Sequence, residues 1–333
     1  MVLLFTHKGD VHPSNVLDIL EGWGVSMFRV NTEALISDYD FSWWSTDEGC
    51  DFFIENRVSK LRIYGSQITA IWDRRYAVPS ELRSETGNEA VDNYKLEEAK
   101  AFLDFLRYYL KDIYSIGSIV NDTIAESKLL QMAVARRLGM RVPNTCVSNI
   151  KDELCGKLYG KEYLCLKPLS GGNVVDRDNN KEYSLYTQRI PHSTLCQVTP
   201  EVFAETANCV QEYIAKKYEL RVTVCCEDVI TCRILSQHLP DDRGKVDWRE
   251  GYDCGLGVEV IDTPDQIRDF CLHFLRALNI NFGCFDFIVT DKDKIIFLEC
   301  NPNGQWLWIE EMAKIDISTV IAKNLVRYEN VDI

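Results

Sequence analysis

Residues 295–306, IIFLECNPNGQW, place a carboxylate and an amide two positions apart at the end of an apolar run. Side chains at i and i+2 of a strand share a face, so Glu299 and Asn301 point the same way. Oxygen donors in that pairing suit a hard divalent cation. A second apolar run, FGCFDFIV, carries Asp286 in its middle. Two such strands lying side by side would bring Asp286, Glu299 and Asn301 to one point. Mg2+ usually takes one or two protein carboxylates and fills its shell with water and phosphate oxygens. The trio therefore reads as a candidate site for a metal-bound nucleotide. The same letters also suit a strand end followed by an ordinary Asn-Pro-Asn-Gly turn.

Three other groups of residues carry related chemistry. Lys167 ends an apolar strand and is followed by Pro168, Ser170, Gly171 and Gly172. Glycines let backbone amides approach phosphate, and lysine adds positive charge. Neither GxxxxGK[ST] nor GxGxxG occurs, so the loop is not a Walker A loop and lacks the dinucleotide fingerprint. The segment QEYI, residues 211–214, offers strand-edge backbone groups to an adenine ring, with Tyr213 and Ile214 for apolar packing. Glu219 follows on the next strand, where it can accept hydrogen bonds from ribose hydroxyls. Arg221, Arg233 and Arg249 form the last group. Guanidinium groups bind phosphate and carboxylate through two parallel bonds, and an arginine inside an apolar strand needs a partner.

The elements that must position these groups follow from periodicity. VLLFT reads as a buried strand, residues 13–23 as a helix ending at Gly22 and Gly24, and VSMFRV as the next strand. This strand–helix–strand opening indicates an open α/β domain. DYDFSWW and CDFFIEN are further strands, and residues 88–114 have helical spacing. Asp122 is a plausible N-cap for a helix running to Arg137 and stopped by Gly139. Strands follow at RVPNTCVS and YLCLKPL, then a strand and a hairpin between 209 and 235. Residues 264–278 and 315–326 are helical. His7 and His12 lie near the first strand-to-helix turn and are expected to meet solvent. Trp72-Asp73-Arg74-Arg75 is expected to be structural or to join lobes. The charged stretch from Asp176 to Ser184 reads as a loop or hairpin.

Composition narrows the class. A chain of 333 residues suits two or three lobes. With Lys+Arg 37 against Asp+Glu 51, the formal charge of -14 argues against nucleic acid as a partner. MVLLFTHKGD lacks the features of a signal peptide, and no long apolar span is evident, so no membrane partner is expected. The 13 Cys are scattered with no CxxC pair, which suits a reduced, cytoplasmic protein.

Taken in order, a lysine on a helix, a lysine before a glycine loop, QEYI, ELR, a downstream arginine and Asp…Glu-x-Asn resemble the ATP-grasp superfamily, over about 121–327. ECNPNGQWLWIE, together with AIWDRR, resembles the graspetide synthetases, the microviridin-type peptide maturases. The start, LLFTHKGDVHPSNVLDIL, resembles their pre-ATP-grasp domain. The resemblance implies an α/β (α+β) ATP-grasp fold, with residues 1–118 as an open α/β pre-ATP-grasp domain, 119–205 as the central lobe and 206–333 as the C-terminal lobe with the metal site. It implies an ADP-forming ligase that uses ATP and Mg2+, and a homodimer. The substrate would be a ribosomal precursor peptide, leader and core, whose Asp or Glu side chains are phosphorylated and then joined to Ser, Thr or Lys as macrocyclic esters or amides. Carried over by position, Lys128 and Lys167 would touch phosphates, with Ser170, Gly171 and Gly172 in the loop. Glu212, Tyr213 and Ile214 would form the adenine hinge and Glu219 would hold ribose. Asp286, Glu299 and Asn301 would hold the metal, Arg249 would approach the terminal phosphate, and Arg221 and Arg233 would steady the acyl phosphate. The family often has an aliphatic residue before the metal-site asparagine; here it is Cys300. Two alternatives remain: a RimK-like ligase adding amino acids to a protein or small molecule, and a non-catalytic nucleotide- or peptide-binding protein.

Overall fold

The computed structural model describes residues 1–117, 121–170, 172–176, 179, 181–240 and 242–328. The first region builds strands β1 (Val2–Thr6), β2 (Met27–Asn31), β3 (Tyr39–Thr46), β4 (Gly49–Asn56), β5 (Arg62–Tyr64), β6 (Ala70–Asp73) and β7 (Ser115–Ile116). Four of them form a parallel sheet in the order β2-β1-β6-β7, and β3-β4-β5 form a separate antiparallel sheet. Every residue of β1 is buried, because both faces are covered, as parallel sheets require. Leu3 and Phe5 pack toward the helix Glu89–Tyr109 through Leu103 and Leu106. Val2 and Leu4 pack toward the helix Pro13–Gly22 through Val16 and Leu20.

The central region adds β8 (Thr145–Ser148), β9 (Tyr163–Lys167), β10 (Asn173–Asp176), β11 (Lys181–Ser184), β12 (Gln188–Pro191) and β13 (Asn208–Glu212). Its sheet runs β12-β9-β13-β8, all antiparallel, and β10 pairs antiparallel with β11, the second of the loop and hairpin alternatives read over 176–184. A small core of Leu154, Leu195, Phe203 and Val210 backs this sheet. The last region holds β14 (Tyr218–Cys225), β15 (Asp228–Ile234), β16 (Val258–Ile261), β17 (Phe282–Val289) and β18 (Ile295–Asn301), in the order β16-β15-β14-β17-β18. One face packs Phe285, Phe287 and Phe297 on Phe270 and Phe274 of the helix Asp265–Leu278. The opposite face, with Cys284 and Phe282, joins Trp306, Ile321 of the last helix, and Val2 and Leu4 of the first sheet in one core. The first and last regions are thus bonded through shared apolar packing.

Two local expectations fail for identifiable reasons. The chain forms a short helix, Asp122–Ala125, and then a separate helix, Lys128–Arg137. The cap of the longer helix is Ser127, whose hydroxyl accepts from the Leu130 amide at 3.5 Å; both residues are competent caps, and the break selects the later one. His12 is 7% exposed rather than solvated, its ring edge-on to Trp306 at 4.8 Å. Burial and the nearby Arg74 guanidinium push its pKa down to about 4, so it folds neutral. Below the ordinary value of 6.5 the unfolded chain takes up a proton that the folded one refuses until about 4. His12 should therefore cost the fold about 1.4 kcal/mol per pH unit as pH falls through that interval. Urea unfolding of His12→Phe against the parent across the interval checks this: the parent should lose stability faster by one proton's slope, and parallel curves would refute it.

Candidate active site

The two metal-candidate strands are neighbours. Asp286 of β17 lies opposite Glu299 of β18, and on its other side opposite Arg221 of β14. Regular alternation would put Phe297 on the same face as Glu299. The register shifts between Asp286 and Phe287: Asp286 pairs Glu299, whereas Phe287 pairs Phe297, leaving Leu298 as a bulge. The bulge re-aims the strand, so Phe297 enters the aromatic core while Glu299 and Asn301 turn to the other face. Cys300 faces the core and is 2% exposed, as its alternation requires.

Around Asp286 the contacts are close. Arg221 donates from Nη1 to Asp286 Oδ2 at 2.7 Å and from Nη2 to the Gln305 carbonyl at 3.1 Å. Asn301 Nδ2 donates to the same Asp286 oxygen at 3.2 Å. The second oxygen, Oδ1, is buried and among the described residues has no hydrogen-bond partner. Burial pushes the Asp286 carboxyl up to about 6, and the Glu299 charge adds to this, against the pull of Arg221. Asp286 in turn holds Arg221 well above its ordinary value despite its burial. An orphaned buried carboxylate oxygen beside a second carboxylate and an amide is what a cation would complete. Among the described residues no three His, Cys, Asp or Glu side chains gather as a metal site; two carboxylates and an amide are the donor set suited to Mg2+.

These residues open onto a cavity of about 1120 Å3 walled by all three regions. Lys128, Lys167 and Ser170 line it from the linker helix and the central sheet. Lys128 Nζ donates to the Pro168 carbonyl at 2.8 Å and stands 3.9 Å from Glu299. Glu212, Tyr213 and Ile214 line the far end. The Glu212 amide bonds Asn144 O and the Tyr213 amide bonds Tyr163 O. The Glu212 side chain is held by Asn144 and Lys161. Among the described residues the Ile214 amide has no acceptor, which leaves it free for a ring nitrogen. Glu219 lines the cavity in a buried pair with Lys216 at 2.8 Å and accepts from the Ser236 hydroxyl at 2.7 Å. Arg249 also lines it, gripped by both oxygens of Asp247 at 2.8 and 2.5 Å. That grip holds the buried Asp247 carboxyl below its usual range in spite of desolvation.

Two residues expected here are placed otherwise. Arg233 lies opposite Leu220, and so on the core side of the sheet, while Arg221 lies opposite Cys232 on the cavity side. It pairs with Glu259 at 3.5 Å and covers the Tyr218 ring at 4.6 Å. Strand alternation thus removes Arg233 from the cavity, and Arg221 and Arg249 remain. Gly172 serves the backbone: at φ +77 a Cβ would stand 2.7 Å from the Leu185 carbonyl, at the foot of the β10–β11 hairpin. Gly171 lies outside the described residues.

Several positioning residues escaped the sequence reading. Gln131, 2% exposed, donates to the Ala125 and Cys300 carbonyls at 2.6 Å each and accepts from the Cys300 amide at 2.8 Å. It clamps the main chain between Glu299 and Asn301 to the helix that carries Lys128. The carbonyls of the turn after Asn301 are each taken by an arginine: Asn303 by Arg75 at 3.4 Å, Gly304 by Arg74 at 3.1 Å and Gln305 by Arg221 at 3.1 Å. Gly304 must be glycine, since a Cβ would sit 2.4 Å from Cys284 Cβ. No local signal marks these partners, which lie far apart in the chain. Of the two tryptophans bracketing the turn, Trp306 is fully buried and Trp308 lines the cavity, stacked on Trp248 at 4.5 Å.

Residues 1–122 match the family model of the MvdD pre-ATP grasp domain. No curated protein matches the sequence. Among solved structures, a RiPP-associated ATP-grasp ligase from Chryseobacterium gregarium, in complex with ADP and a leader and core peptide, aligns with a TM-score of 0.86 at 23% identity, over 99% of this chain and 97% of that one. The macrocyclase MdnC from Microcystis aeruginosa MRC, bound with the precursor peptide MdnA, aligns with a TM-score of 0.82 at 25% identity, over 98% and 100%. The macrocyclase MdnB from the same organism aligns at 0.76 and 24%, over 98% of each. The fold is that of the ATP-grasp ligases. The chain's N-terminal 122 residues are of the MvdD pre-ATP-grasp kind. Among the described residues no helix is long and apolar enough to cross a membrane.

Proposed function

We propose that the protein activates Asp or Glu side chains of a ribosomally made precursor peptide at the expense of ATP and closes intramolecular ester or amide links with Ser, Thr or Lys. The observation that carries this is the buried, partnerless Asp286 oxygen beside Glu299, on the wall of a cavity that also holds the free Ile214 amide. Asp286, Glu299 and Asn301 would hold Mg2+, which when bound neutralises charge on the transferring phosphate. Lys128, Lys167 and Ser170 would meet the phosphates, the 212–214 backbone the adenine, and Glu219 the ribose. Arg221 and Arg249 would steady the phosphoryl group. The substrate carboxylate oxygen attacks the terminal phosphorus and ADP leaves. A hydroxyl or amine then attacks the acyl carbon, and phosphate leaves with its oxygen. Phosphoryl transfer asks mainly for positioning and charge, so no enzyme nucleophile is required.

In this reading 1–118 is the pre-ATP-grasp domain. We move the boundary between the other two lobes from 205 to 212, because β13 pairs in the central sheet. We place the working unit in the cytoplasm as a homodimer, as the resemblance implies. The test is incubation with ATP, Mg2+ and a Thr/Ser- and Asp/Glu-rich precursor peptide, to be sought in the neighbouring reading frames. Mass spectrometry should show loss of one water per link, matched by one ADP. A gain of an amino-acid mass would instead favour a RimK-like ligase, and absence of ATP consumption would leave only a binding protein.

A further inference from the structure

Two cysteines of the central region stand together, away from the cavity wall. Cys155 lies on the helix Lys151–Lys157 and Cys196 on the helix His192–Gln197. Their sulfurs are 2.7 Å apart, inside an ordinary non-bonded contact of about 3.5–4.0 Å. Both thiols are free and only partly buried, so a small reagent can reach them. Cys146 packs in the same small core but turns its sulfur to the Glu153 carbonyl at 3.8 Å. His192 stands beside the pair. Its Nε2 is 3.0 Å from the Cys155 carbonyl. A carbonyl only accepts, so Nε2 carries the hydrogen of the neutral ring and Nδ1 keeps a lone pair. That Nδ1 is 3.8 Å from Cys196 Sγ. Burial and the Cys196 sulfur push the Cys155 thiol up to about 11. One sulfur therefore has a base at hand and the other holds its proton, which suits an attacking and a resolving thiol. A shared metal fits less well: thiolates each about 2.3 Å from a tetrahedral zinc stand about 3.8 Å from one another.

We propose that Cys196 and Cys155 form a redox modification site, at which a low-molecular-weight disulfide closes a bond between the two helices. His192 Nδ1 takes the Cys196 proton, and the thiolate attacks one sulfur of the small disulfide. A mixed disulfide forms on Cys196 and the first small thiolate leaves, taking the Cys155 proton. The Cys155 thiolate then attacks the Cys196 sulfur, and the second small thiolate leaves with the proton held by His192. Two protein thiols and one small disulfide thus become one protein disulfide and two small thiols. The bond brackets residues 156–195, which include Lys167 and Ser170 on the cavity wall and the β10–β11 hairpin. It staples both ends of that stretch. Partly exposed sulfurs keep the exchange reversible, as a redox-responsive bond in a reducing compartment must be.

The experiment treats the reduced full chain with oxidised glutathione, quenches with acid, blocks the remaining thiols and maps the peptides by mass spectrometry. The wild type should yield a peptide pair linked through Cys155 and Cys196, and dithiothreitol should undo the link. Cys155→Ser should stop at a glutathione adduct on Cys196, because the resolving sulfur is gone. Cys196→Ser should add glutathione to Cys155 at least about tenfold more slowly. His192→Gln can still donate to the Cys155 carbonyl but takes no proton, and should slow closure about tenfold. Thermal unfolding of the reduced proteins reports their folding. The oxidised wild type should melt above its reduced form, since the bond closes a long loop in the unfolded chain. A folded wild type in which 155 and 196 stay unlinked overturns the assignment, as does a Cys155→Ser variant with no adduct on Cys196. An unchanged rate in His192→Gln removes the part given to His192.

Discussion

Glu299→Gln is expected to lower peptide-dependent ADP formation by about a thousandfold and to leave the fold intact. The substitution keeps the side chain's shape and removes one of the two carboxylate charges facing the candidate metal. Among the described residues Glu299 has a single, distant ion pair, 3.9 Å from Lys128, and its side chain is 25% exposed. The change in stability should therefore stay within about 0.5 kcal/mol. Steady-state ADP release with a precursor peptide, alongside thermal unfolding, separates the two effects. Wild-type turnover in this variant would remove Glu299 from the metal site. Asp286→Asn is the less informative partner, because it also unbalances Arg221.

Arg221→Met should be the most destabilising single change at the site. Arg221 and Asp286 form a buried ion pair whose side chains are 6% and 12% exposed. Removing the cation leaves a desolvated carboxylate beside Glu299, and it also strips the Gln305 carbonyl of its donor. Breaking one half of such a pair costs about 3–5 kcal/mol. Replacing both halves with apolar residues, Arg221→Met with Asp286→Leu, should recover most of that stability and none of the turnover. Urea unfolding of the single and double variants decides the point. A single variant as stable as the parent would mean that the pair contributes little to the fold.

The metal strands were legible because alternation is a local rule: Glu299 and Asn301 share a face, Cys300 takes the other, and Asp286 sits between Phe285 and Phe287. The strand that ends at Glu212, before the proposed hinge, was legible as well. The bulge at Leu298 was not, since nothing in IIFLECN marks where a strand slips by one residue. Arg233 shows the same weakness in another form. The face a hairpin residue takes depends on the register fixed by the turn at Cys226, and a shift of one residue reverses it. Gln131 and Asp247 were missed because their significance lies in partners met only after folding. Gln131 touches Cys300 across the width of the linker helix, and no periodicity within either segment announces the other.

The Gln131 clamp has a mechanical corollary. The Lys128 helix is pinned to the strand bearing Glu299 and Asn301, and that strand's sheet is fused by common packing to the opening α/β sheet. Helix and cation pocket must ride as a single block. A motion that admitted nucleotide would have to displace the leaf made by β8, β9, β12 and β13, which has its own small core, against the Lys128–Pro168 bond that ties it to that block.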